Sequence, residues 1–150
     1  MKTITVNNGD IQLNNGKIQF STGNNKLVQD LVLWLEEPLG TGYTTPGFGS
    51  LLANTIGQGQ TAASASTAQA EIARVLQLYQ GQQVLDLQTA QNSSQLSNWN
   101  KSEIIQNIIS IDTTVQGTSI VANVVLQTLQ NNPLNLTISI NNNGVSVQNG

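Results

Sequence analysis

The chain brings few groups that could do chemistry. It has eight Asp and Glu, five Lys and Arg, and no His or Cys among 150 residues. The closest acidic grouping is Asp30, Glu36 and Glu37. Glycoside hydrolysis needs two carboxylates facing each other across a cleft, one of them with a raised pKa. Asp30 and Glu37 stand seven apart, so a helix would place them on one face two turns apart. Glu36 and Glu37, directly before Pro38, read more simply as the solvated end of that helix, and no acid–nucleophile pair stands out. A serine triad lacks its His, and no Ser–Lys motif is present. Without Cys there is no thiolate nucleophile, disulfide or Cys-ligated zinc. The stretches NNGD and NNNG lack the dense carboxylates and closing Glu of a calcium loop. GTGYTTPG has neither the Lys-Ser/Thr of a phosphate cradle nor a GxGxxG following a strand. The residues therefore point away from catalysis, and no catalytic, cofactor-binding or metal-ligating residue is assigned.

Composition agrees with a role in assembly. Only 9% of residues are charged, against roughly 25% in an average soluble domain. Asn and Gln make up about a quarter of the chain, giving a surface of neutral amides that hydrogen-bond readily and repel weakly. The net charge is −3 and the five cations are scattered, so no basic stripe exists to follow a nucleic acid. No apolar run reaches membrane-spanning length, and MKTITVNNGD lacks the apolar core of a signal peptide. The expectation is one domain over residues 1–150, made in the cytoplasm and soluble there until it is assembled.

The elements that would position any site are readable in outline. Residues 3–22 alternate apolar and polar side chains around Asn15-Gly16, a hairpin signal because both residues tolerate positive φ. In NNKLVQDLVLWLEE the residues Leu27, Leu31, Trp34 and Leu35 fall at helical spacing. Asn24 or Asn25 is placed to cap this helix, and Pro38 to stop it. Residues 57–70 are small and polar, a linker or a weakly packed helix start. From Glu71 the residues Ile72, Val75, Leu76 and Tyr79 share a helix face that Gly81 is expected to interrupt. A further helix is expected near Asn100, where Asn100 and Glu103 form a capping-box-like pair and Ile104, Ile105 and Ile108 supply the buried face. The last third is rich in β-branched residues. Leu134, Leu136, Ile138 and Ile140 sit two apart as in a strand with one buried face, and VSV closes the chain as a short strand. No repeat of fixed length is evident. The order predicts an α+β fold, with an N-terminal β-hairpin and several helices packed on a small antiparallel sheet formed by the C-terminal third.

Between helix and second half lies GYTTPGFGSLL, an aromatic set between two glycines just past a proline. Gly47 and Gly49 are expected to take backbone angles closed to other residues, so that a sharp turn delivers Phe48 into the core. Pro46 stiffens the approach and Ser50 is placed to cap the short apolar segment that follows. These residues, Pro46, Gly47, Phe48, Gly49 and Ser50, form a structural turn.

The stretch from Gly9 to Leu52 resembles the start of the lysozyme-like baseplate wedge family of contractile phage tails and related injection systems. The shared features are Gly9-Asp10, the short hairpin, Gln29 within LVQDL, Gly40 after the helix, and a Pro-x-aromatic-Gly-Ser-x-Leu turn formed by Pro46, Phe48, Gly49, Ser50 and Leu52. Family members usually carry Tyr where Phe48 stands. Their Glu-Pro-Arg triplet before the last strands is missing; the corresponding region is Ser110–Val115, where Asp112 is the ionised residue. The resemblance implies a structural wedge component with no turnover. Its implied partners are other wedge proteins, tail sheath subunits, and tube or hub proteins, and its implied place is the virion's tail baseplate. It also implies that sheath assembly starts by strand exchange, for which the edges are Val145–Val147 or Thr3–Val6. Trp99, set in LSNWNKS, is either a core anchor or an interface hot spot; with Asp112, Val145 and Val147 it makes up the candidate interface. The alternative is a peptidoglycan-acting or carbohydrate-binding tail module.

Overall fold

The computed structural model describes residues 1–7, 10–42 and 44–150; Gly9 of the Gly9-Asp10 pair, and Tyr43 of the glycine-rich loop, lie outside them. The fold is α+β. A four-stranded antiparallel sheet comes from the C-terminal third, two helices pack on it, and an N-terminal arm of short paired strands precedes them.

The arm is not a simple hairpin. It comprises β1 (Thr3–Ile4), β2 (Val6–Asn7), β3 (Asp10–Ile11), β4 (Leu13–Asn14), β5 (Lys17–Ile18) and β6 (Phe20–Ser21), paired β1 with β6, β2 with β3 and β4 with β5. The pairing reveals a seven-residue repeat, contrary to the expectation of none: ITVNNGD, IQLNNGK and IQFSTGN. The third residue of each copy stands opposite the first of the next, as Val6↔Ile11, Leu13↔Ile18 and, closing the circle, Phe20↔Ile4. The middle residues join cyclically through their backbones: Gln12 N donates to Thr5 O (2.9 Å), Gln19 N to Gln12 O (3.0 Å) and Thr5 N to Gln19 O (2.9 Å). Directly opposed and i,i+2 residues share a face, so Ile4, Val6, Ile11, Leu13, Ile18 and Phe20 form one apolar ring. Five of the six, all but Val6, remain 38–60% exposed. The repeat is hidden in the sequence because its third copy replaces Asn-Asn with Ser21-Thr22 and runs into a helix.

That helix, α1 (Asn24–Glu36), buries Lys26, Leu27, Leu31 and Leu35 and ends before Pro38. Neither Asn24 nor Asn25 caps it. The N-cap is Gly23, whose N–H donates to Glu103 Oε1 at 2.8 Å. A carboxylate only 1% exposed, brought from far along the chain, thus meets the positive end of the helix. The N-terminal ammonium also pairs with Glu103, at 2.9 Å.

The second helix, α2 (Ala62–Asn92), starts within the small polar segment. A box between Thr61 and Ser64 starts it: Ser64 N donates to Thr61 Oγ1, and Thr61 N to Ser64 Oγ. Ala65, Ala68, Ile72, Val75, Leu76 and Tyr79 form its buried stripe. Gly81 does not interrupt it. Glycine in a helix interior costs about 1 kcal/mol relative to alanine, and packing of the stripe on α1 and the sheet outweighs that.

The helix expected near Asn100 is replaced by a one-turn 3-10 helix, Lys101–Glu103, and a long strand, β7 (Ile105–Gln116). The helical spacing of the isoleucines misleads because β7 carries register shifts between Ile105 and Asn107 and between Ile108 and Ser110. Each extra residue re-phases the side chains, so strict alternation is lost. Strands β8 (Ser119–Thr128), β9 (Pro133–Asn141) and β10 (Gly144–Asn149) complete the sheet in the order β10-β9-β8-β7. Its inner face, including Ile120, Val124, Leu126, Leu136, Ile138 and Ile140, joins the leucines of α1 and the stripe of α2 in one core.

Candidate functional site

The conspicuous turn sits between the end of α1 and α2. Its backbone is laced to the end of α1: Ser50 N donates to Glu37 O (2.8 Å) and Leu39 N to Ser50 O (2.8 Å), forming a parallel bridge between Pro38 and Ser50. Ser50 Oγ donates to Leu35 O (2.6 Å) and accepts from Leu52 N (3.3 Å). One hydroxyl therefore serves both an orphan carbonyl of α1 and the first N–H of the 3-10 turn Leu52–Thr55. The glycine argument holds at Gly49 alone. Its φ is +104° and it is buried, and a Cβ there would lie 2.6 Å from Glu37 O and 3.0 Å from Pro38 O. Gly47 has no positive φ and nothing within 4 Å of the corresponding position, so the expectation for it is corrected. Phe48 is also half-buried rather than in the core; its ring lies on Trp34 at 4.7 Å.

Two residues that the sequence did not single out clasp the turn to α2. Glu71 Oε1 accepts from Leu51 N (2.7 Å) and from Arg74 (2.6 Å), and Arg74 Nε donates to Glu71 Oε2 (2.7 Å). Arg74 also reaches Gly49 O at 3.4 Å. Burial disfavours the Glu71 carboxylate, but the hydrogen bonds from Arg74 and Leu51 and the guanidinium charge outweigh it, holding its pKa below the ordinary 4.5. Their i,i+3 spacing is the only sequence signal that could have found the pair.

The candidate interface residues lie apart from one another. Val145 and Val147 are on β10, an edge of the sheet, half-buried against the core. Val147 N–H donates to Glu36 Oε1 at 3.0 Å, on the side away from β9. Asp112 is exposed on β7, the opposite edge, where Gln69 Nε2 donates to Ile111 O (2.8 Å) and Gln80 Nε2 to Gln106 O (3.0 Å). Trp99 follows the 3-10 turn Leu96–Asn98 and is half-buried. Thr3–Val6, the other candidate edge, is paired inside the arm, Thr3–Ile4 with Phe20–Ser21 and Val6 with Ile11. Gln29 ties that arm to α1: Nε2 donates to Ile4 O (2.8 Å) while Oε1 accepts from Val6 N (3.1 Å).

The acidic grouping is dispersed. Asp30 accepts from Lys26 and from the Tyr79 hydroxyl (2.9 Å), Glu36 holds Val147, and Glu37 accepts from Thr41. Among the described residues no group of three or more potential ligand side chains could hold a metal ion, and no helix is long and apolar enough to cross a membrane. Comparison of the chain with protein-family models, with curated proteins and with solved structures finds no match.

Proposed function

We propose that this chain is a structural component of a contractile-tail baseplate wedge, located in the virion, which binds other wedge proteins and starts sheath assembly by strand exchange. The resemblance over Gly9–Leu52 motivates the reading. The observation that carries it is the state of β10: a sheet edge whose Val147 N–H is held by the Glu36 side chain and not by another strand. A side-chain acceptor is a replaceable partner, and an incoming extended segment offers carbonyls along the same line. The arm, α1 and β10 also enclose a groove of about 630 Å³, lined in part by Val28, Val32, Leu33 and Val147, where such a segment's side chains would lie. The mechanism is geometric, main-chain pairing beside an apolar floor.

Assembly of particles carrying a chain trimmed of residues 145–150 tests it. The expected outcome is a folded protein that enters the baseplate and fails to start a sheath. Normal sheath growth on the trimmed particles would exclude β10 as the templating edge.

A further inference from the structure

Four of the chain's six aromatic side chains, counting two each of Trp, Tyr and Phe, line one small cavity. They come from four separate segments: Trp34 from α1, Phe48 from the glycine turn, Tyr79 from α2, and Trp99 from the loop before β7. Trp34 is the hub, 4.7 Å from the Phe48 ring in a tilted arrangement and 5.9 Å from Tyr79 edge-on. The cavity holds about 210 Å³, below the roughly 300–1,000 Å³ of sites for drug-sized ligands. It has room for one side-chain-sized group.

Its charges decide which kind of group. Lys26 and Asp30 both line the cavity and form an ion pair, with the Tyr79 hydroxyl donating to the same Asp30 oxygen. Burial, and then the Asp30 charge, push the Tyr79 phenol above its ordinary pKa, so it remains a neutral donor. The N-terminal ammonium at the rim is paired with Glu103. That leaves Asp86, exposed on α2 at the rim, bonded to Gln82 Nε2 (2.8 Å) and paired with no cation among the described residues. Asp86 is therefore the one carboxylate of the lining without a cationic partner among the described residues, and it stands at the rim of a cavity lined by four aromatic rings. Aromatic faces attract cations through the ring quadrupole, and arginine's flat guanidinium both stacks on indole and takes a carboxylate.

We propose that this aromatic cavity receives a cationic side chain, arginine or lysine, presented by a partner polypeptide, with Trp34 and Trp99 supplying the π faces and Asp86 the counter-charge. This assignment is independent of strand exchange at β10: the cavity and the groove beside β10 have only Leu33 in common among their lining residues, and either can fail without the other.

The test is titration of the isotope-labelled full chain with N-acetyl-arginine methylamide, reading the two indole N–H resonances by NMR. The neutral isostere N-acetyl-citrulline methylamide and tetramethylammonium serve as comparison ligands. Saturable shifts of both indoles are expected with the arginine amide, with citrulline binding weaker by roughly two- to thirty-fold. Asp86→Asn, an exposed change that leaves the rings in place, is expected to weaken arginine binding several-fold and leave citrulline unaffected. Trp99→Phe, which keeps a ring, is expected to retain more affinity than Trp99→Ala. Equal binding of arginine and citrulline would overturn the proposal, as would absence of saturation up to about 100 mM. Tetramethylammonium binding as tightly as the arginine amide would mark a site for free small cations and would also overturn it.

Discussion

At the scale of single residues, Gly49 is the position with least freedom. Its positive φ is strained for any L side chain, and backbone oxygens of Glu37 and Pro38 fill the space a Cβ would need. Those oxygens belong to the end of α1, which is fixed by Leu31 and Leu35 in the core, so the clash cannot relax by a rotamer change. Gly49→Val is expected to cost at least about 3 kcal/mol, read as a lower urea midpoint, whereas Gly47→Ala is expected to change it by less than about 1 kcal/mol. Equal effects at the two sites would show that the turn, and not the close approach at Gly49, governs the cost. Sequence reading reached this turn because Pro, Gly and an aromatic cluster are conspicuous. It could not separate the two glycines, since only the neighbouring backbone distinguishes them.

At the scale of elements, glutamine does recurrent work. Gln83, only 4% exposed, donates from Nε2 to Glu103 O (2.6 Å) and accepts at Oε1 from Ile105 N (3.0 Å). Gln29 makes the same two-way bond to Ile4 O and Val6 N. In both cases a helix amide stands in for a neighbouring strand, satisfying a carbonyl and an N–H two residues apart. The amide-rich composition thus has a structural use beyond surface solubility. Gln83→Leu leaves two buried backbone groups unpaired and is expected to cost about 2–4 kcal/mol. Gln29→Leu, where the groups are closer to solvent, is expected to cost less, and hydrogen exchange should show fraying confined to the arm. A larger penalty at Gln29 than at Gln83 would contradict this account. None of it is legible in the sequence, because a Gln on a helix surface and one plugging a strand end look alike. The start of β7 misleads for a related reason: its two irregularities, between Ile105 and Asn107 and between Ile108 and Ser110, erase the period that reveals β9.

At the scale of the whole molecule, α1, α2, the sheet and Leu52, just past the turn, share one core, and the Glu71–Arg74 pair joins the turn to α2 beside it. The folded-state pKa of Glu71 lies below its ordinary 4.5. Its carboxylate therefore contributes stability that is fully present above that value and is lost as pH falls through the lower, folded one. The difference in stability between the native chain and Glu71→Gln should be largest near neutrality and shrink below about pH 4.5. A difference constant from about pH 7 to about pH 3 would show that the charge is not what matters.

The residues alone determined the α+β class, the end of α1 before Pro38, and the strand β9, because helix stops and period-two burial are local properties of neighbouring side chains. They also drew attention to Gln29 and to the Pro46–Ser50 turn. Tertiary structure alone decided that Glu103 caps α1, that three seven-residue units close into an apolar ring, that β10 is an edge held by Glu36, and that four distant aromatics meet in one cavity. Each of these joins parts of the chain far apart in sequence. Such contacts are chosen by packing of the core, which no single window of sequence encodes.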